Sequence, residues 1–89
     1  MSNSGVIIVN NYIYEGSILD NDAHGRGTFY YNNGDVYIGS CKFGKADGFG
    51  EYLYNNGSRY VGYFSIGKLH GIGSLENHNT IHKGTWRDD

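Results

Sequence analysis

Hydrophobic and polar positions alternate in short runs along this chain, and glycines punctuate the runs. Over residues 37–43 the odd positions are Tyr37, Gly39, Cys41 and Phe43, with Ile38, Ser40 and Lys42 between them. Over residues 48–54 the even positions are Gly48, Gly50, Tyr52 and Tyr54. A period of two predicts β-strand, and Asn-Gly between two such runs predicts a tight turn. Helical periodicity is absent. The pattern also recurs: Tyr14 and Gly16, Tyr37 and Gly39, and Tyr60 and Gly62 return at a spacing of about 23 residues. Gly25 and Gly27, Gly48 and Gly50, and Gly71 and Gly73 keep the same phase. Such recurrence fixes an array architecture. A degenerate fourth start follows at His82, Gly84 and Trp86, and a half unit precedes the first. The expected division of residues 1–89, taken as one domain, is a half unit at about 5–13, repeats at about 14–36, 37–59 and 60–81, and a partial repeat at 82–89.

Register follows from loop arithmetic. A three-residue loop at Asn32, Asn33 and Gly34, with Gly34 left-handed, sets Gly27 against Gly39 and Phe29 against Tyr37. The same loop at Asn55, Asn56 and Gly57 sets Gly50 against Gly62 and Tyr52 against Tyr60. Two-residue turns at Asn10-Asn11 and His78-Asn79 set Gly5 against Gly16, Ile7 against Tyr14, Gly73 against Gly84 and Leu75 against His82. Loop length varies, yet one face is kept each time; a slip of one residue would expose it. Within a repeat, a four-residue loop over residues 44–47 is expected to pair Cys41 with Gly50 and Gly39 with Tyr52. Its counterparts pair Ile18 with Gly27 and Phe64 with Gly73.

The expected fold is all-β: a single-layer antiparallel meander of β-hairpins. One face carries Ile7, Val9, Tyr14, Ile18, Phe29, Tyr31, Tyr37, Tyr52, Tyr54, Tyr60, Phe64, Leu75 and Trp86. The other mixes Glu15, Ser17, Ser40, Lys42, Glu51, Ser74, Glu76 and Thr85 with Ile38, Leu53 and Val61. Sheets twist, so one layer buries its apolar face only by curling. The result is a trough lined by aromatics.

Composition sharpens this picture. The 15 glycines, 9 tyrosines and 4 phenylalanines, with no proline, suit rings lying over bare backbone. A net charge of −2 excludes the basic footprint of a nucleic-acid binder. The single cysteine, Cys41, excludes an intrachain disulfide and is expected to pack as a small hydrophobe. Residues 6–9 are too short an apolar run for a signal segment or membrane span. The expected location is intracellular and cytoplasmic, with peripheral membrane or larger-assembly association as the variant.

Chemistry is sparse. His24 and His70 share a repeat position, but four strands at ~4.8 Å place them roughly 19 Å apart, too far to share one ion. His78 and His82 approach each other without a third ligand. Asp20, Asn21 and Asp22 lack the distal glutamate of a calcium loop. The Gly-x-Gly pairs do not sit between strand and helix, as a nucleotide loop requires. No catalytic, metal or cofactor site is therefore expected. The candidate binding residues are the aromatic trough (Tyr14, Phe29, Tyr31, Tyr37, Tyr52, Tyr54, Tyr60, Phe64, Trp86) and the front edge strand (Val6, Ile7, Ile8, Val9). That strand is apolar on both faces and invites pairing. Lys83, Arg87, Asp88 and Asp89 guard the other end.

The sequence Tyr-x-Gly, Gly-x-Gly, aromatic, Asn-Gly resembles the MORN (membrane occupation and recognition nexus) repeat. The resemblance covers residues from about 14 to 86. Ile18 and Cys41 stand where the family often has Trp or Phe, and His82 replaces a tyrosine. The resemblance implies a non-enzymatic interaction or assembly module, with a protein partner and a homodimer as the expected form. A phospholipid-headgroup or membrane-surface adaptor is the alternative, though the basic residues are dispersed. The family's spread through protists, bacteria and large DNA viruses leaves a structural or host-interaction role as a further one.

Overall fold

Each run of period-two alternation becomes a strand, and each break rich in asparagine or glycine becomes a turn. The computed structural model describes residues 3–77 and 79–87. Its strands are β1 (Asn3–Ile8), β2 (Tyr12–Leu19), β3 (Asp22–Tyr31), β4 (Val36–Lys42), β5 (Lys45–Leu53), β6 (Arg59–Ser65), β7 (Lys68–Glu76) and β8 (Ile81–Trp86). They form one antiparallel sheet in sequence order, β1 to β8. The overall extents are 39 × 23 × 17 Å. The His78-Asn79 turn falls partly outside the described residues, as do Asp88, Asp89 and the proposed His78–His82 pair.

The register between repeats is the one the loops predict. Gly5 faces Gly16, Gly27 faces Gly39, Gly50 faces Gly62 and Gly73 faces Gly84. Gly34 and Gly57 are left-handed, at φ 95° and 94°, and close their three-residue loops as expected.

Within each repeat the structure differs from expectation. No four-residue loop forms. Asp20-Asn21, Phe43-Gly44 and Ile66-Gly67 make two-residue turns with both φ values positive, the type I′ geometry. A bulge follows: the ladder steps from Gly39–Gly50 directly to Cys41–Ala46, and likewise in the other two repeats. Cys41 therefore meets Ala46, Ile18 meets Ala23 and Phe64 meets Leu69, rather than glycines. Glycine meets glycine instead, so Gly16–Gly27, Gly39–Gly50 and Gly62–Gly73 join the other pairs. One glycine row, from Gly5 to Gly84, then crosses all eight strands.

The two glycines of each Gly-x-Gly thus do different work. The first (Gly25, Gly48 and Gly71) lies in the bulge at positive φ. The second (Gly27, Gly50 and Gly73) lies in the row, beneath a tyrosine ring. Because the bulge returns Ala23, Ala46 and Leu69 to the inner face, these residues enter the core, with Cys41 beside them. Val9, expected on that face, is exposed.

Candidate functional site

The repeat tyrosines are seated alike. A Cβ on Gly27, Gly50 or Gly73 would fall within 2.3, 2.2 and 2.2 Å of the hydroxyl of Tyr14, Tyr37 and Tyr60 respectively. The rings lie so close that only glycine admits them. Each hydroxyl then donates to a carbonyl three residues on: Tyr14 to Ser17 (2.7 Å), Tyr37 to Ser40 (2.6 Å) and Tyr60 to Tyr63 (3.0 Å). Those carbonyls belong to the residues at which the ladder steps over the bulge. The ring thus covers the glycine while its oxygen satisfies a backbone group that the bulge strips of its strand partner. Burial pushes the Tyr14, Tyr37 and Tyr60 phenols up and raises the Cys41 thiol.

This seating decides what the aromatic face offers. Tyr14, Phe29, Tyr37 and Tyr60 have 0% exposure and Phe64 has 5%. In this conformation they fill the curl as core and offer no contact surface, a correction to the expected open trough. Tyr31, Tyr52, Tyr54 and Trp86 remain half-buried along its rim. Tyr31 stacks on Tyr52 at 5.8 Å, and Tyr52 lies 4.7 Å from Tyr54. Burial lifts the Tyr31 phenol to about 12. Asp35, which the sequence reading passed over, is buried beneath this rim and accepts from the Tyr52 hydroxyl and the Asn55 amide, each at 2.8 Å.

The exposed apolar surface lies elsewhere. On the front edge, Ile8 is 73% exposed, Val6 and Val9 are exposed, and Ile7 turns inward onto the core. The outer face is more apolar than expected. Phe49 and Tyr63 meet edge to face at 5.4 Å, and with Val61 and Ile72 they line a shallow groove of about 390 Å³. At one end of the sheet, Phe43 and Ile66 protrude from adjacent turns, 74% and 67% exposed. Lys42 and Lys45 face each other beside Phe43, and Lys68 flanks Ile66. The Asp47 carboxylate accepts from the Ile66 amide at 3.1 Å. His24 packs against Phe43 rather than toward a ligand cluster. Among the described residues, no three His, Cys, Asp or Glu side chains gather to hold a metal.

Comparison with known families places the MORN repeat on residues 14–36, 37–59 and 60–79. No curated protein matches the chain. The family match spans most of the sheet, from the first repeat tyrosine to the last turn. MORN repeats form a non-enzymatic module for protein or membrane-lipid interaction. The chain belongs to the MORN repeat family.

Proposed function

We propose that this chain is a non-enzymatic protein-interaction and assembly module of the intracellular, reducing compartment, and that it associates with itself. One observation carries the reading. The front strand β1 has a single neighbour among the described residues, bears no charged side chain, and exposes Val6 and Ile8. A strand with those properties recruits another strand, because its N–H and C=O groups need partners and nothing repels an incoming chain. Light scattering tests this at high micromolar concentration. The wild-type chain is expected above the monomer mass and Ile8→Lys at it. A strictly monomeric wild type would overturn the reading.

A phospholipid surface is the second reading. Its support is the pair of apolar turn tips, Phe43 and Ile66, set among Lys42, Lys45 and Lys68. Apolar tips ringed by cations suit an anionic headgroup layer. It ranks second because Asp20, Asp22 and Asp47 lie in the same row of turns and offset the lysines. Stable sedimentation with phosphatidylserine vesicles at physiological salt, lost in Phe43→Asn, would raise it above the first.

A further inference from the structure

The two ends of the sheet are complementary halves of one repeat, and this rests on the self-association reading above. Strands alternate in type. β2, β4, β6 and β8 carry the Tyr-x-Gly position, filled in β8 by His82 and Gly84. β3, β5 and β7 carry the second glycine of Gly-x-Gly, and β1 supplies Gly5 in the same row. A hairpin of the array is one strand of the first type followed by one of the second. β8 is a first half with no second half after it among the described residues. β1 is a second half with no first half before it among the described residues.

The contact that joins the halves is unusually selective. A Cβ on Gly16 would lie 2.5 Å from the Gly27 Cα and 2.6 Å from the Arg26 carbonyl oxygen. Gly39 stands in the same relation to Gly50 and Phe49, and Gly62 to Gly73 and Ile72, again with the facing glycine Cα at 2.5 Å. Backbone approaches backbone so closely there that a strand following a Tyr-x-Gly strand needs glycine at one position. At Gly84 no described residue takes that place: a Cβ would meet nothing within 4 Å among the described residues.

We infer that β8 of one copy receives β1 of a second copy, head to tail, with Gly84 against Gly5 of that copy. The register used three times within the chain then carries over. It sets Ile81 against Ile8, His82 against Ile7 and Lys83 against Val6 of the second copy. His82 takes the tyrosine's place over Gly5. The outer-face Val6 and Ile8 gain cross-strand neighbours on that face. Strand direction also fits, since β1 runs as β3, β5 and β7 do and antiparallel to β8. A closed two-fold pairing of β1 with itself would leave β8 bare and would set two second halves side by side. The head-to-tail contact is heterologous, so assembly is open-ended rather than capped at two.

Blocking one end at a time tests this. Gly84→Val adds bulk where the single chain has open space, so the monomer folds unchanged. Gly5→Val adds a Cβ 2.9 Å from Ile18 Cδ1, the far end of a flexible side chain. Melting curves check both variants, and Ile8→Lys replaces Gly5→Val if the latter unfolds. By sedimentation at high micromolar concentration, the wild-type mass is expected to rise with concentration beyond a dimer. Each variant alone stays monomeric, and an equimolar mixture forms a dimer, twice the monomer mass, through the one intact β8 and the one intact β1. A Gly84→Val variant that assembles like wild type overturns the head-to-tail contact while leaving self-association standing. A mixture that stays monomeric overturns it too. A monomeric wild type overturns both.

Discussion

Tyr52 donates its hydroxyl proton to Asp35 over 2.8 Å, tying the middle of one repeat to the turn of the repeat before it. The other Asp35 oxygen takes the Asn55 backbone amide at 2.8 Å, and Asn33 Nδ2 reaches the carboxylate at 3.3 Å. One buried carboxylate thus joins two successive Asn-Asn-Gly turns. Asp35→Ala leaves the Asn55 amide and the Tyr52 hydroxyl without acceptors. A loss of about 2–3 kcal/mol is expected, because hydrogen bonds to charged groups are the stronger kind and their buried donors are costly to strand. Urea unfolding checks it; an unchanged midpoint would remove Asp35 from the account of stability.

The glycine row makes a position-dependent prediction. Gly50→Val drives a branched side chain into the Tyr37 ring, whose hydroxyl lies 2.2 Å from the Cβ site. Gly39→Val collides with the Gly50 backbone at 2.5 Å, which cannot swing aside. Overpacking of this kind costs about 1–3 kcal/mol and more where the neighbour is fixed. Gly84→Val, in the same row, leaves the melting temperature of the monomer unchanged. Equal effects at Gly50 and Gly84 would refute the ring-over-glycine packing.

The alternation and the Asn-Gly loops were enough to read the all-β meander and the register between repeats. There, loop length and the preserved face constrain each other. The turn within the repeat was not legible, and the reason is physical. Phe43 and Ile66 occupy left-handed positions, at φ 50° and 48°, where bulky residues are rare. A reader expecting turn chemistry at glycine and asparagine therefore places the loop one step late. That error hid Ala46 and Leu69 from the core and paired Cys41 with the wrong partner. The aromatic positions were legible as one face. Their burial was not, because closing the curl depends on the bulges, and a bulge has no alternation of its own. The signal for it was the first glycine of each Gly-x-Gly, which packing over rings alone does not require.

Alkaline pH should unfold this protein more readily than acid-base symmetry suggests. Burial raises Tyr31 from an ordinary 10.0 to about 12, and raises Tyr14, Tyr37 and Tyr52 in the same direction. For Tyr52 the hydrogen bond to Asp35 adds to burial, since it favours the protonated phenol. Below the unfolded-state value both states keep the proton, so the contribution is fully present. As pH rises past 10, the unfolded chain releases protons that the folded one retains, and stability falls until the folded-state value is passed. Cys41 adds the same sign from its own ordinary value of 9.0. The urea midpoint should begin to fall above about 9 and drop steeply between about 10 and 12. Tyrosinate absorbance should rise with unfolding. Free titration of all tyrosines while the fold persists would contradict their burial.

The strained turns give the last prediction. Phe43 and Ile66 each hold a left-handed backbone conformation, and Ile66 is β-branched, the type that tolerates it least. Their side chains are mostly exposed, so truncation forfeits little burial. Asparagine accepts positive φ and is favoured at this place in a type I′ turn. Ile66→Asn should therefore stabilise the chain by about 1 kcal/mol, the scale of the left-handed penalty for an ordinary side chain. At this chain length that corresponds to a rise of about 4–8 °C in melting temperature. Phe43→Asn should gain less, because it also gives up the ring contact with His24 at 5.4 Å. Replacement thus gains stability, and what it removes is exposed apolar surface beside lysines. A calorimetric scan of both variants, run beside vesicle sedimentation, separates the two effects. Higher melting with unchanged vesicle behaviour would leave the tips without a membrane role. A lower melting temperature for Ile66→Asn would show that the side chain stabilises its turn by more than the backbone strain costs.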